Sequence, residues 1–312
     1  MGTRRLIALV GFCAMGFCTM ILPSCLKCQT RSSAYLRADS NLVLVPVTVS
    51  DPHDHPVKGL TKENFRILDD GVEQAITHFA LDDAPMSIGL VFDSSGSMRF
   101  RLDRSRLAAE AFFHAANPED EFFLVEFSGS PKLSVPLTRN VAEIENRITQ
   151  ARPAGRTALL DAIYLALNEM RKSRLRRKAL LIVSDGGDNA SRYTQNEVNR
   201  LLRESDVLIY AIGIFTPFGP RRSLEELAGP DLLRKIAERS GGRLIPISGT
   251  IELPYMAVKV GMEMRNRYLL GYSPADILDN GRYHRVQVKL VPPPEVPPLH
   301  ALWRTGYYAP AR

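Results

Sequence analysis

Long apolar runs that alternate with helical patterns constrain the fold more than any other feature of this sequence. The runs at 86–92, 179–184 and 207–214 are continuously or almost continuously apolar rather than alternating in polarity. Segments with helical periodicity lie between them. Strands that are apolar on both sides need cover on both faces, which is typical of a parallel sheet between two helix layers. Residues 85–266 therefore predict a doubly wound, mainly parallel α/β fold.

The same segment predicts the remaining elements of that fold. Strands are expected at 121–127, 132–135 and 243–247, and helices at 103–116, 141–151, 157–172, 194–204, 231–240 and 251–266. The buried face of the first helix is expected to carry Leu107, Ala111, Phe112 and Ala115. Residues 216–230 are rich in Pro and Gly and predict a loop.

Two β-rich flanks, residues 40–82 and 267–312, surround this segment. The first predicts strands at 42–50, 65–68 and 72–81, with Thr61 as a helix N-cap and Asp69-Asp70-Gly71 as a hairpin turn. Pro46 predicts an edge position or a break in the first strand. The second flank predicts strands at 268–272, 282–291 and 302–308. Neither flank alone has an adequate core, so we expect the two to pair in one small β unit.

Residues 1–28 have the pattern of an export leader. A short basic stretch precedes an apolar run at 6–22, which is typical of a secretory signal. The stretch 22–25 (LPSC) resembles a bacterial lipoprotein box in which Cys25 would be lipidated. Cleavage to a soluble form, lipidation at Cys25 and a retained membrane anchor all remain open. All four cysteines lie in this leader, and a cysteine-free body is compatible with an oxidising compartment.

The charge balance argues against a nucleic-acid partner. The formal net charge is +6, and Arg4 and Arg5 at the start of the leader contribute to it. The basic run 174–178 (RLRRK) follows a predicted helix end, where cations are favourable to the helix dipole. His53 and His55 lie in a segment rich in Pro and Asp, which indicates a turn rather than a metal cluster.

Hard oxygen donors follow two of the apolar strands. Asp93, Ser95 and Ser97 alternate in the loop after the strand at 86–92, and Asp185 follows the strand at 179–184. Thr157 opens a predicted helix between them. If the two strands are neighbours, both carboxylates and all three hydroxyls converge at the carboxyl ends of the strands, where ligands bind in open α/β sheets. This donor set suits Mg²⁺, or Mn²⁺ or Ca²⁺, and leaves the cation able to accept a carboxylate.

These five positions resemble the metal-ion-dependent adhesion site (MIDAS) of von Willebrand factor type A (VWFA) domains. Asp93-x-Ser95-x-Ser97, Thr157 and Asp185 match the three parts of that site in the family's order. The flanks resemble a bacterial exported subfamily, the VWFA-related proteins of acidobacterial type. The resembling stretches are 47–49, 59–65, 268–272 and 306–308. The resemblance implies a Mg²⁺-type site whose open position accepts an acidic side chain of another protein.

The sequence thus predicts an exported, metal-dependent binding module for adhesion or scaffolding rather than an enzyme. It contains no Gly-x-Ser-x-Gly elbow, no His-Glu-x-x-His motif and no phosphate-binding loop. His78, His114 and His284 lie inside predicted elements, where structural roles are more common than catalytic ones. Two alternatives remain: a Mg²⁺-dependent enzyme of hydrolase type, and a VWFA scaffold whose metal site is unused.

Overall fold

The structure is a computed structural model that describes residues 42–215, 224–248, 250–274, 281–291 and 297–309. The predicted leader at 1–28, its processing at Cys25 and parts of the predicted proline-rich loops lie outside these residues. Within the described ranges, no helix combines the length and the apolar character that a membrane crossing requires.

A six-stranded sheet forms the centre of the α/β segment. Its strand order is β10-β9-β8-β5-β6-β7, and all neighbours pair in parallel except β7, which runs antiparallel to β6. The strands are β5 (Met86–Asp93), β6 (Glu121–Phe127), β7 (Pro131–Thr138), β8 (Arg177–Ser184), β9 (Val207–Ile214) and β10 (Leu244–Ile247). All eight residues of β5 and of β9 are buried, because helices cover both faces of the sheet.

Within the ranges that the structure describes, six helices cover the two faces of this sheet, three on each. They are α1 (Leu102–His114), α2 (Val141–Gln150), α3 (Leu159–Met170), α4 (Gln195–Arg203), α5 (Leu224–Ser240) and α6 (Leu253–Arg265). Side chains of α1, α2 and α6 share one apolar cluster with one face of the strands. Side chains of α3, α4 and α5 share a second cluster with the other face. The predicted doubly wound, mainly parallel α/β fold is therefore confirmed.

The flanks form two antiparallel four-stranded sheets around a shared apolar core. One sheet has the order β13-β1-β11-β4 and the other β14-β12-β2-β3, so each contains strands from both flanks. The strands are β1 (Val43–Ser50), β2 (Phe65–Asp69), β3 (Val72–Gln74), β4 (His78–Asp82), β11 (Arg267–Tyr272), β12 (Tyr283–Leu290), β13 (His300–Trp303) and β14 (Gly306–Tyr308). This is the small β unit expected in the predicted fold class. The domain boundaries assigned from the sequence stay predictions.

Local features of the first flank follow from its sequence. Thr61 precedes a single 3₁₀ turn, Lys62–Asn64, and forms a capping box with Asn64. Asp70 and Gly71 both have positive φ, as the tight turn between β2 and β3 requires. β1 lies between β13 and β11, but Pro46 is in the half of β1 that pairs with β11 alone, where a proline is tolerated as at an edge.

Two predicted strands are each divided between the two sheets of the β unit. The prediction of one strand at 72–81 is wrong, because β3 pairs with β2 whereas β4 pairs with β11. The prediction of one strand at 302–308 is also wrong, because β13 pairs with β1 and β14 pairs with β12. In both places the chain crosses from one sheet to the other, and continuous β propensity carries no signal of such a crossing.

Two helices also differ from the prediction. Phe112 is buried as predicted, but Leu107 is exposed and Ala111 and Ala115 are only partly buried. Helix α1 also buries Ala108, Ala109 and Phe113, and the ring of Phe113 contacts that of Phe122. Helix α5 begins at Leu224, seven residues before the predicted start at 231, and contains Pro230. Tertiary packing of its first turns overrides the local preference of a Gly-Pro pair for a loop.

Candidate metal centre

The carboxyl ends of β5 and β8 bring two of the predicted site residues to one edge of the sheet. The two strands are parallel neighbours, with Phe92 opposite Val183. Asp93 therefore ends β5 beside Ser184, and Asp185 directly follows β8. Asp93 has no exposed surface and Asp185 is 6% exposed. The predicted site required these two strands to be neighbours, and they are neighbours in the sheet.

The loop after β5 holds its side chains around the Asp93 carboxylate. The backbone N–H of Ser95 donates to Oδ1 of Asp93 at 2.8 Å. The hydroxyl oxygens of Ser95 and Ser97 lie 3.0 Å apart. A short 3₁₀ turn, Gly96–Phe100, then leads into α1. The alternating Asp93-x-Ser95-x-Ser97 pattern thus places one carboxylate and two hydroxyls in a single compact turn.

Backbone hydrogen bonds fasten the Thr157 loop to the loops after β5 and β8. The N–H of Gly96 donates to the carbonyl of Gly155 at 3.1 Å, and the N–H of Ala154 donates to the carbonyl of Ser94 at 3.0 Å. On the other side, the N–H of Thr157 donates to Oδ1 of Asn189 at 2.9 Å. Thr157 is 5% exposed and lies two residues before α3 rather than inside it.

A cleft of about 280 Å³ opens over these loops. Ser97, Thr157 and Asp185 line it, whereas Asp93 and Ser95 have no exposed surface. The other lining residues come from the same three loops and from the start of α5: Gly96, Gly155, Arg156, Gly187, Asn189, Glu225 and Glu226. Three of the five predicted site residues therefore line the cleft, and the other two belong to the loop that carries Ser97.

The electrostatics of the site are those of two carboxylates held close together. Burial, and next the negative charge of Asp185, raise the pKa of Asp93 to about 7. Hydrogen bonds from Ser184 and Ser95 act in the opposite direction but do not offset burial. A positive charge at this point would relieve the repulsion between the two carboxylates.

Sequence reasoning missed four contributors to this site. Ser184 donates its hydroxyl to Oδ2 of Asp93 at 2.5 Å. Arg101 donates from Nη1 to Oδ2 of Asp185 at 3.1 Å, which places a cation beside the second carboxylate. Glu225 and Glu226 line the cleft from a helix turn that the sequence assigned to a loop. Only Ser184, the last residue of an apolar strand, carried a local signal.

The residues of this site fit a divalent cation of the Mg²⁺ class. Two carboxylates would balance the charge, and the neutral hydroxyls of Ser95, Ser97 and Thr157 add oxygen ligands without further charge. Burial, and next the charge of Asp185, raise the pKa of Asp93, and a cation bound between the two carboxylates would favour the charged form. Asp93, Ser95, Ser97, Thr157 and Asp185 would hold the ion.

The class of protein follows from this fold, this site and one family match. Residues 88–187 match the model of the family described as von Willebrand factor type A domain. All five candidate ligands lie inside the matched segment. This segment of the chain is therefore similar to a von Willebrand factor type A domain, and the fold around it agrees with that class. The likeness of its flanks to acidobacterial exported proteins stays a prediction.

One solved structure supports the same fold, and two others are similar over part of the chain. A von Willebrand factor type A protein from Catenulispora acidiphila is 14% identical, with a TM-score of 0.51 over 80% of this chain and 74% of that chain. An aerotolerance-related membrane protein from Bacteroides fragilis is 16% identical, with a TM-score of 0.48 over 57% of this chain and 98% of that chain. The PilB minor pilin from Streptococcus sanguinis is 13% identical, with a TM-score of 0.46 over 58% of this chain and 62% of that chain. No curated protein matches the chain.

Proposed function

We propose that this chain is an exported protein-binding module for adhesion or scaffolding, and not an enzyme. Asp93, Ser95, Ser97, Thr157 and Asp185 hold a divalent cation in the manner of a MIDAS. The cation is Mg²⁺ in our proposal, with Mn²⁺ or Ca²⁺ as substitutes. When bound, it supplies an open coordination position for the carboxylate of an Asp or Glu side chain on a partner protein.

One observation carries this proposal: two carboxylates at the ends of adjacent parallel strands lie beside three hydroxyls at a cleft. Ser97, Thr157 and Asp185 reach the cleft, so a partner side chain could approach them from solvent. Arg156 lines the cleft, but so do Glu225 and Glu226, so the positive charge that attracts an acidic partner would come from the bound cation. The chain's own residues supply ligands and orientation rather than a reacting group.

The proposed location is the periplasm, the cell envelope or the exterior. Support comes from the basic and apolar leader at 1–28 and from the absence of cysteine after Cys28. Lipidation at Cys25 or a retained leader would hold the chain at a membrane. Nucleic acid is not a proposed partner, since an exported protein does not meet it in quantity.

The metal site is tested by thermal unfolding of the full chain in EDTA and in excess Mg²⁺. We expect Mg²⁺ to raise the melting temperature of the wild type by several degrees, because a ligand that binds only the folded state stabilises it. Asp93→Ala is expected to abolish the increase. Thr157→Val should reduce it, whereas Thr149→Val, a matched change at an exposed threonine of α2, should leave it unchanged.

Partner binding is then tested with the same proteins as bait against cell-envelope extract. Recovery of a bound protein in Mg²⁺, its release by EDTA and its loss with Asp93→Ala would support the proposed function. Identical melting curves for the wild type in Mg²⁺ and in EDTA would contradict the metal site. A partner retained equally in EDTA would contradict the metal-bridged contact.

A further inference from the structure

A second group of metal-ligating side chains lies in the β unit, outside the site described above. Asp69 ends β2, Asp70 lies in the turn that follows, and His284 lies on β12. One ligand atom from each lies within 4.8 Å of the others. Asp69 and His284 are both more than nine-tenths buried, whereas the side chain of Asp70 is 54% exposed. Solvent therefore reaches the group from one side.

Hydrogen bonds fix one oxygen of Asp69 and leave the other without a partner. Oδ2 accepts the hydroxyl of Tyr272 at 2.9 Å and the hydroxyl of Tyr307 at 3.0 Å. Oδ1 has no hydrogen-bond partner among the described residues, although it is buried. It lies 3.8 Å from Nδ1 of His284, which is too long for a hydrogen bond. A buried carboxylate oxygen without a partner is costly, so it points to a ligand.

The two oxygens of Asp70 also differ in their surroundings. Its Oδ1 accepts the backbone N–H of Arg285 at 2.8 Å, and its Oδ2 lies 2.8 Å from Nδ1 of His284. A proton on Nδ1 would satisfy Asp70 alone and would leave Oδ1 of Asp69 unpaired. Each carboxylate thus has one oxygen held by a protein donor and the other near the same imidazole nitrogen.

We propose that Asp69, Asp70 and His284 bind a transition-metal dication of the Zn²⁺ class. Ligands at 2.0–2.2 Å from a tetrahedral zinc stand about 3.4 Å from each other, and the distances of 2.8 and 3.8 Å bracket that value. One imidazole with two carboxylates suits zinc better than Mg²⁺ or Ca²⁺, which prefer oxygen ligands alone. Water from the exposed side of Asp70 would complete the shell.

The ion would fasten the two flanks of the chain to each other. Asp69 and Asp70 belong to the N-terminal flank, and His284 belongs to the C-terminal flank. Tyr307 stacks on the His284 ring with centroids 5.4 Å apart, which orients the imidazole. The hydroxyls of Tyr272 and Tyr307 donate to the Asp69 carboxylate and so fix its orientation, as hydrogen-bond donors commonly do for carboxylates that bind a metal. The proposed role is therefore structural.

The test measures Zn²⁺ binding to the metal-stripped full chain by equilibrium dialysis and by thermal unfolding. Asp70→Asn is the informative variant, because Asn tolerates the positive φ of this exposed turn and folding should be kept. Asp54→Asn is the matched control, since Asp54 also has positive φ and lies outside the cluster. All three proteins carry the leader cysteines, so zinc held there is common to them.

We expect Asp70→Asn to lose one equivalent of zinc or to bind it at least tenfold more weakly, and to lose the associated rise in melting temperature. Asp54→Asn should keep both. His284→Gln should match Asp70→Asn. Equal zinc content and affinity in wild type and Asp70→Asn would overturn the proposal and leave a proton between the carboxylates and His284. The Mg²⁺ response that depends on Asp93 is measured separately, so either site can fail without the other.

Discussion

At the scale of single residues, Asp93 has the least favourable environment in the candidate metal centre. Its carboxylate is fully buried and its pKa is raised, chiefly by burial and next by Asp185. The unfolded chain would release the Asp93 proton near pH 4, whereas the folded chain without a cation holds it until about pH 7. Folding in the absence of metal is therefore linked to proton uptake in this interval.

The sign of that linkage gives a prediction for the chain in EDTA. Because the folded state binds more protons between pH 4 and pH 7, the contribution of Asp93 to the free energy of unfolding falls as pH rises. The slope is at most about 1.4 kcal/mol per pH unit, and it vanishes above the folded pKa. Asp93→Asn should remove this slope. Urea unfolding at a series of pH values, with and without Mg²⁺, measures it.

Saturating Mg²⁺ should also flatten the wild-type profile, because a bound cation favours the charged carboxylate. Asp103→Asn is the matched control, since the side chain of Asp103 is 91% exposed. A wild-type profile in EDTA that coincides with that of Asp93→Asn would contradict the raised pKa. A profile that is unchanged by Mg²⁺ would contradict the coupling of this carboxylate to the metal.

The sequence could predict the candidate ligands but not the charged residues around them. Asp93, Ser95, Ser97, Thr157 and Asp185 stand at strand ends and a helix start, where the α/β pattern itself predicts ligand binding. Arg101 contacts Asp185, which lies 84 residues later in the sequence, and no local sequence pattern predicts such a contact. Glu226 was assigned to a loop, so its position at the cleft could not be inferred.

At the scale of elements, the contact between α5 and the loop after β8 shapes the site. Gly186 has a φ of +82°, in the left-handed region that glycine adopts without strain. A Cβ on Gly229 of α5 would stand 2.7 Å from the carbonyl carbon of Gly186 and 2.8 Å from the backbone oxygen of Asp185. The helix and the metal loop therefore approach backbone to backbone, and only glycine permits this distance.

This contact predicts that Gly229→Ala destabilises the protein. In an ordinary helix the change is favourable by about 0.5–1 kcal/mol, but here the added methyl group meets backbone that must move. We expect a loss of about 1–3 kcal/mol from overpacking. We also expect a smaller Mg²⁺-induced rise in melting temperature, because the displaced backbone carries Asp185. Urea unfolding and thermal unfolding measure the two effects.

Gly261→Ala in α6 is the control, since its Cβ would lie 3.4 Å from the ring of Phe112, an ordinary contact distance. That change should be neutral or slightly stabilising. If Gly229→Ala proved as benign as Gly261→Ala and kept the full Mg²⁺ response, the contact would not support the site as described.

The sequence predicted a strand or helix correctly where a local pattern determines it. It predicted the element incorrectly where packing between distant residues determines it. β6 and β9 match their expected ranges because each is a single apolar run in one sheet. The run at 72–81 has uniform β character, yet its two halves serve opposite sheets. Helix α5 continues through Pro230 and packs Gly229 against Gly186, a contact between residues far apart in the sequence that no local pattern predicts.

At the scale of the whole molecule, buried arginines join the β unit to the α/β segment. Arg177 on β8 and Arg267 on β11 are each 4% exposed and share one carboxylate, Asp82 at the end of β4. Arg177 also donates to the carbonyl of Ala84 at 2.6 Å and to that of Met264 at 2.7 Å. Burial, and next the charge of Arg177, lower the pKa of Arg267 to about 10. Asp82 thus offsets two buried cations.

Asp82→Asn should therefore weaken the whole molecule rather than one part of it. Removing the carboxylate takes an ion-pair partner from two buried guanidinium groups, for which we expect a loss of about 3–5 kcal/mol. Trp303, the single tryptophan, lies on β13 and reports unfolding of the β unit, whereas far-ultraviolet circular dichroism is dominated by the helices of the α/β segment. In urea, both signals should move to lower midpoints together. Asp83→Asn, at the exposed neighbour whose charge acts on Arg177 without an ion pair, should shift both midpoints far less. Separate transitions in the wild type, or a shift of only one signal in Asp82→Asn, would mean that this arginine junction does not couple the two parts.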